Sequence, residues 1–290
     1  MAKRKVLEEN IEQYCAWLKE EEKSAGTVRK YRYYLSTFKD FMGGKEISKG
    51  KVLAWKEALR RELSPVTVNG ALAAANGFFK YMDWSDCTVR FIKVKRRVFC
   101  AEGRELSRDD YGKLVRQAQA DGNERLALLL QTICATGIRV SELRYITVES
   151  LKRRAAEVDC KGKIRVVLLT DRLCGLLAAY AKRMRIADGM IFVTRTGKPM
   201  DRSNIWREMK LAGRRAGVEP EKVFPHNLRH LFARAYYSQE KDLLRLADIL
   251  GHSSVNTTRI YTMESGKSRL RQIENLNLLI GNYNKISLLL

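Results

Sequence analysis

Histidine is rare in this chain and confined to one place. All three, His226, His230 and His252, fall between residues 226 and 252 of the 290. His226 and Arg229 are three apart, so on a helix they share a face. Pro225 just before them suits the first turn of a helix, where its missing N–H costs nothing. A helix start carrying His and Arg on one face suits an anion, because free backbone N–H groups and the helix dipole add to the side chains. The His-x-x-Arg pair alone specifies little, but its neighbours add to it. His252 follows Leu250-Gly251, which reads as a helix stop, and Thr257-Thr258-Arg259-Ile260-Tyr261 comes soon after. Upstream, Thr136-Gly137 ends one helix and Arg139 opens the next. A guanidinium there offers a rigid fork matched to two phosphate oxygens. His230 reads as a packed or hydrogen-bonded helix residue.

The charge balance points to the same class of ligand. The chain carries 55 Lys and Arg against 33 Asp and Glu, a formal net charge of +22. That excess disfavours an enzyme of small neutral substrates and favours a polyanion binder. It is not one tail: residues 1–100 have a net charge of +9 and residues 101–290 have +13. Both halves are therefore expected to touch the partner. Hydrophobic residues make up 45% of the chain, enough for two packed cores and too much for a disordered polymer. The longest apolar stretches, such as Leu126–Cys134, fall far short of a membrane span of about 18 residues. Glu8, Glu9 and Glu12 stand where a signal peptide would be apolar, so the expected compartment is cytoplasmic. The six cysteines are scattered, with no metal spacing, and read as free thiols.

These residues need elements to hold them. Leu7, Ile11, Tyr14, Cys15 and Leu18 recur at helical spacing. After a break at Ser24-Ala25-Gly26, Thr27 is the expected cap of a second helix bearing Val28, Tyr31, Leu35, Phe38 and Phe41, ended by Gly43-Gly44. Ser48 caps a third helix, and Ser64-Pro65 opens a fourth. Residues 86–106 read as a basic linker. Ser107-Arg108-Asp109-Asp110 forms a capping box that starts a second domain. Within it Asn123–Ala135 is an apolar helix. Glu157–Cys160 and Ile164–Leu169 flank Lys161-Gly162-Lys163 as a hairpin. Ile191-Phe192-Val193 is either a short strand or a loop. Helices follow at 202–216, 226–239 and 241–250. The last 21 residues carry apolar positions at Ile273, Leu276, Leu279 and Ile280, and finish in Ile286-Ser287-Leu288-Leu289-Leu290.

Three segments, in order and in register, carry a resemblance: Thr136–Leu143, Pro225–Ala233 (PHNLRHLFA) and Leu250–Thr262 (LGHSSVNTTRIYT). With them the chain resembles the tyrosine recombinases of the phage integrase family, close to the Xer subgroup. The resemblance implies a mainly α fold with a small β-hairpin. Residues 1–85 would be a helical, SAM-like core-binding domain, 86–106 a linker, and 107–290 an α+β catalytic domain with a tail segment at 270–290. It makes Tyr261 the nucleophile, Arg139 and Arg229 the phosphate clamp, and His226 and His252 hydrogen-bonding or proton-handling groups. The family's lysine lies on a hairpin, where Lys161 is the best match. Cys160 stands where a glycine is commoner and the turn is one residue shorter, which leaves Lys163 as a second candidate. The implied partner is double-stranded DNA, bound by a homotetramer on two sites and by a monomer or weak oligomer when free. Accessory proteins are compatible with it; a membrane partner is not.

The implied chemistry is consistent with the residues. A phenol with an ordinary pKa of about 10 is a weak nucleophile at neutral pH. Two guanidiniums favour the phenolate and stabilise a five-coordinate phosphoryl transition state. A lysine suits protonation of the leaving 5′-oxygen. The 3′-phosphotyrosyl ester keeps the energy of the phosphodiester, so neither cofactor nor metal is expected. Two alternatives use the same fold. A type IB topoisomerase-like enzyme relaxes DNA without pairing sites, and an architectural protein binds DNA without cutting it. The short helical N-terminal region and the hydrophobic C-terminus favour recombination over the first. The set Arg139, Lys161, His226, Arg229, His252 and Tyr261 argues against the second. Each phosphate contact releases about 0.9 counterion from B-DNA, so the log–log salt dependence of DNA affinity is expected to have a slope steeper than about 3. A filter-binding titration across salt concentrations measures it.

Overall fold

The computed structural model describes residues 4–94, 103–160, 163–194, 196–252, 254–259, 270, 271, 273–276 and 278. It divides into two compact units, residues 1–96 and 97–290. In the first, α1 (Glu8–Glu20), α2 (Ala25–Met42), α3 (Lys49–Glu62) and α4 (Pro65–Tyr81) pack around Ile11, Leu35, Phe38, Trp55, Phe78 and Phe79. Serines set three of the four starts: Ser24, Ser48 and Ser64 each accept the N–H three residues on. The expected cap at Thr27 is thus displaced to Ser24. Thr27 instead donates its N–H to the Ser24 hydroxyl, which holds Ala25 and Gly26 in the helix.

The expected linker is shortened at both ends. A 3-10 turn at Ser85–Cys87 buries Cys87 and Val89 in the first core. The side chains of Asn69 and Asn76 then hold the backbone beyond it, each amide both donating to and accepting from one residue. Asn76 pairs with Val89 at 2.8 and 3.0 Å, and Asn69 with Ile92 at 2.9 and 2.8 Å. These amides take up the main-chain groups that a free linker would leave to water. At the other end Leu106 is fully buried in the second core. Residues 95–102 lie outside the described residues.

The second unit begins with α5 (Arg108–Ala120), capped reciprocally by Ser107 and Asp110 as expected. The apolar α6 (Glu124–Thr136) follows, then a 3-10 stretch (Val140–Tyr145) and α7 (Val148–Arg153). Strands β1 (Ala155–Cys160) and β2 (Lys163–Leu168) pair antiparallel, with Val158 opposite Arg165. After them come α8 (Asp171–Arg183), α9 (Arg202–Arg215), α10 (Pro225–Glu240), α11 (Leu243–Leu250) and the five-residue α12 (Val255–Arg259). Ile191 and Phe192 are buried, and this segment makes only isolated bridges, Thr147 to Met190 and Val193 to Pro199. It is a loop rather than a third strand. Helix α8 has a weaker sequence signal because Gly175 interrupts its interior. The described part of the tail exposes Leu270, Ile273, Leu276 and Leu278. Leu279, Ile280 and residues 281–290 lie outside the described residues. Cys15, Cys87, Cys134 and Cys174 are free thiols. No helix among the described residues is long and apolar enough to cross a membrane.

One glycine decides how the second unit closes. Gly137 ends α6 in the left-handed region at φ +64°, and a Cβ there would lie 2.5 Å from Phe232 of α10 and 2.8 Å from Leu250 of α11. Its missing side chain lets three helices meet two residues before Arg139. Gly137→Ala therefore combines a left-handed backbone penalty with overpacking, together roughly 2–4 kcal/mol. Thermal unfolding monitored by circular dichroism is expected to show a clear drop in Tm.

Candidate active site

Arg139 lies three residues beyond the end of α6. It caps a 3-10 stretch rather than opening an α-helix. Its guanidinium, N–H and neighbour form a closed arrangement with Glu142. The Glu142 carboxylate accepts from the Arg139 backbone N–H at 2.9 Å, from Arg139 Nη1 at 2.7 Å and from Arg165 Nη2 at 2.6 Å. Glu142 is only 2% exposed. Burial pushes its carboxyl pKa up, but the Arg139 N–H and the two guanidiniums outweigh that and hold it below the usual range.

Helix α10 begins with Pro225 and carries His226 and Arg229 one turn apart, as the spacing predicts. Arg229 is 1% exposed. It donates to the carbonyls of Gly137 and Leu250, the latter at 2.7 Å, and its Nη2 lies 2.9 Å from His252 Nε2. A guanidinium only donates, so Nε2 of His252 accepts and the ring proton sits on Nδ1. That proton points to Thr258 Oγ1 at 2.8 Å. Thr258 is fully buried on α12, three residues before Tyr261. His230 packs edge-on against His226, with ring centroids 4.8 Å apart.

Arg139, Ser141, Arg202, Trp206, His226 and Arg229 line one cavity of about 650 Å³. The structure thus brings together Arg139, His226 and Arg229 at one cavity and bonds His252 to Arg229. Lys161 and Tyr261 lie outside the described residues, as does the side chain of Lys163. Sequence spacing singled out neither the cavity-lining Ser141, Arg202 and Trp206 nor three residues that bond to the site groups, Glu142, Arg165 and Thr258. Glu142 and Thr258 carried a signal in lying within the matched segments; Arg165 carried none beyond its place on the second strand of the hairpin. Among the described residues no group of three or more His, Cys, Asp or Glu side chains is placed to hold a metal ion.

The site is rich in fixed positive charge, and the histidines respond to it. Burial, then Arg229, Arg139 and Arg202, lower the pKa of His226. Burial, then the arginines and His226, push His252 down to about 4; burial, then His226 and the nearby arginines, bring His230 to about 3. His230 and His252 are thereby held neutral at pH 7, and His226 is shifted in the same direction. Glu142 balances only part of this charge, and a phosphodiester supplies further negative charge.

Comparison with known proteins identifies the family and the fold. The profile described as "Phage integrase family" matches residues 104–267, more than half of the chain, and "Phage integrase, N-terminal SAM-like domain" matches residues 11–85. The chain belongs to the phage integrase family. Among its relatives is the tyrosine recombinase XerA of Pyrococcus furiosus, 28% identical over 294 residues that cover 96% of this chain and 98% of that one. A crystal structure of a XerA recombinase superposes with a TM-score of 0.51 at 26% identity, covering 94% of this chain and 99% of the other. A lambda integrase tetramer bound to a Holliday junction shares the fold, with a TM-score of 0.71 at 17% identity over 96% of this chain and 79% of that one.

The lowered histidine pKa values predict a pH dependence. Between about 4 and the ordinary value of 6.5 the unfolded chain binds protons at His252 that the folded chain does not. Stability is therefore expected to be full above pH 6.5 and to fall as the pH drops towards 4. NMR of the ring Cε1–H signals is expected to show His230 and His252 unprotonated at pH 6.5.

Proposed function

We propose that this chain is a site-specific DNA recombinase that cuts and rejoins duplex DNA through a 3′-phosphotyrosyl intermediate on Tyr261. One observation carries the reading: Arg139 and Arg229, from segments 90 residues apart in sequence, face a single cavity with His226, while Arg229 also holds His252. Two guanidiniums at one cavity suit the two non-bridging oxygens of a phosphodiester and the added charge of its transition state.

In this reaction Tyr261 Oη, having released its proton to solvent, bonds to the phosphorus, and the bond to the 5′-oxygen breaks as that oxygen takes a proton from Lys161. Religation reverses each step and needs no nucleotide. His226, on the cavity wall, is a hydrogen-bonding group to the phosphate. His252 acts from behind Arg229, since both ring nitrogens are engaged by Arg229 and Thr258. The Thr258 bond supports a role for α12 in presenting Tyr261. The partner is double-stranded DNA, and the basic surplus in both halves of the chain supports contact by both units. The working assembly in this reading is a homotetramer on two DNA sites. The exposed Leu270, Ile273, Leu276 and Leu278 support a tail that docks on a neighbouring subunit. The protein acts in the cytoplasm.

A suicide substrate that traps the covalent complex tests this. Tyr261→Phe is expected to bind the site normally and form no adduct; an adduct in that variant identifies another nucleophile. Lys161→Ala is expected to cleave slowly with an ordinary 5′-oxygen leaving group and to recover when sulfur replaces it, because a thiolate leaves without a proton. Recovery in Lys163→Ala instead assigns the acid to Lys163.

A further inference from the structure

We propose that Arg165 is a positioning residue for cleavage, fixing Arg139 through Glu142 and fixing the end of α11, which leads into His252. The proposal rests on the recombinase reading above. Arg165 sits on β2, and its side chain is 12% exposed. One face of its fork meets Glu142 Oε2 at 2.6 Å and the other donates to the carbonyl of Ile249 at 2.8 Å. Glu142 holds both the backbone and the guanidinium of Arg139, so Arg165 reaches the first arginine through one carboxylate. Ile249 is in the last turn of α11, three residues before His252.

The chain leaves room for this side chain. A Cβ at Gly251 would lie 2.3 Å from Arg165 Cδ and 2.7 Å from its Nε, so only glycine lets the stem pass. Gly251 is also the left-handed cap of α11, at φ +64°. One residue thus meets two demands, ending the helix and admitting the arginine. Arg165 is absent from the cavity wall that Arg139, His226 and Arg229 share. It therefore acts through them rather than on the phosphate.

Arg139 Nη2 reaches the Gly251 carbonyl at 3.3 Å, a long bond. It is the contact most readily exchanged for a phosphate oxygen. When that happens, Arg165 keeps the turn before His252 in place and keeps Glu142 neutralised. Only arginine can do both, since lysine offers one nitrogen where two directions are needed. Arg165 also pairs through its backbone with Val158 of β1, so the hairpin, the first clamp arginine and the turn to His252 share one strut.

The test measures three quantities on Arg165→Lys and Arg165→Gln beside the wild type: the single-turnover rate of adduct formation at saturating protein, the Kd for a single site, and Tm. Arg165→Lys is expected to slow adduct formation by roughly tenfold or more, the scale of a small misplacement of reacting groups. Its Kd is expected to stay within about threefold, because no phosphate contact is removed, and its Tm to stay near that of the wild type. Arg165→Gln, which can keep one of the two bonds but no charge, is expected to be slower still. An Arg165→Lys rate equal to the wild type overturns the proposal. So does a Kd that weakens as much as the rate, which makes Arg165 a DNA contact. A rate loss in both variants that tracks a lowered folded fraction also overturns it, leaving Arg165 a scaffold residue. Failure of the wild type itself to form an adduct overturns the recombinase reading and the proposal together, and is distinguished by that control.

Discussion

A helix that stops leaves carbonyls without partners and concentrates partial negative charge at its end. At the end of α11 those carbonyls are taken by three guanidiniums, one each: Arg165 on Ile249, Arg229 on Leu250 and Arg139 on Gly251. The three arginines come from β2, from α10 and from the turn after α6. Their meeting at consecutive carbonyls requires the hairpin, α10 and the apolar α6 to be in place together. The proposed anion site is thus a by-product of how one short helix is closed. His252, the next residue, inherits its position from the same contacts.

The electrostatics follow from that arrangement. Two guanidiniums, Arg139 and Arg165, pair with one buried carboxylate, Glu142, and with Arg229 nearby a local positive surplus remains. Burial of such groups costs free energy unless each is paired. Carbonyl oxygens do part of the pairing, Glu142 does more, and the neighbouring histidines respond with lowered pKa values. A phosphodiester entering the cavity would complete the balance. Its affinity and its activation then arise from the same cations, which is economical for chemistry that uses no bound metal in this reading.

Glycine has a comparable part in the packing. Gly137 and Gly251 both adopt left-handed backbone at helix ends, and both would collide with a neighbour if they carried a Cβ. The first admits Phe232 and Leu250, the second the stem of Arg165. Each sits within two residues of a site group, Arg139 or His252. Sequence spacing marks them only as helix stops, because the close approach is made by residues about 85 to 115 positions away.

Much was legible before any fold was known. The serine caps at Ser48 and Ser64, the Ser107 capping box, the apolar run of α6, the hairpin and the Pro225 start of α10 all rest on local chemistry, which acts over a few residues. The pairing of His226 with Arg229 follows from the 3.6-residue helical repeat alone. The linker was legible only in part: its basic composition hid that Asn69 and Asn76 fasten residues 89–92 to α4. Tertiary structure decided what local chemistry cannot reach. It made Glu142 a buried hub and joined Thr258 to His252. It also drew Arg165, Arg229 and Arg139 onto one helix end from 84, 21 and 112 residues away. Those contacts depend on where separate elements pack, and packing is set by the sum of the buried apolar surface rather than by any local motif.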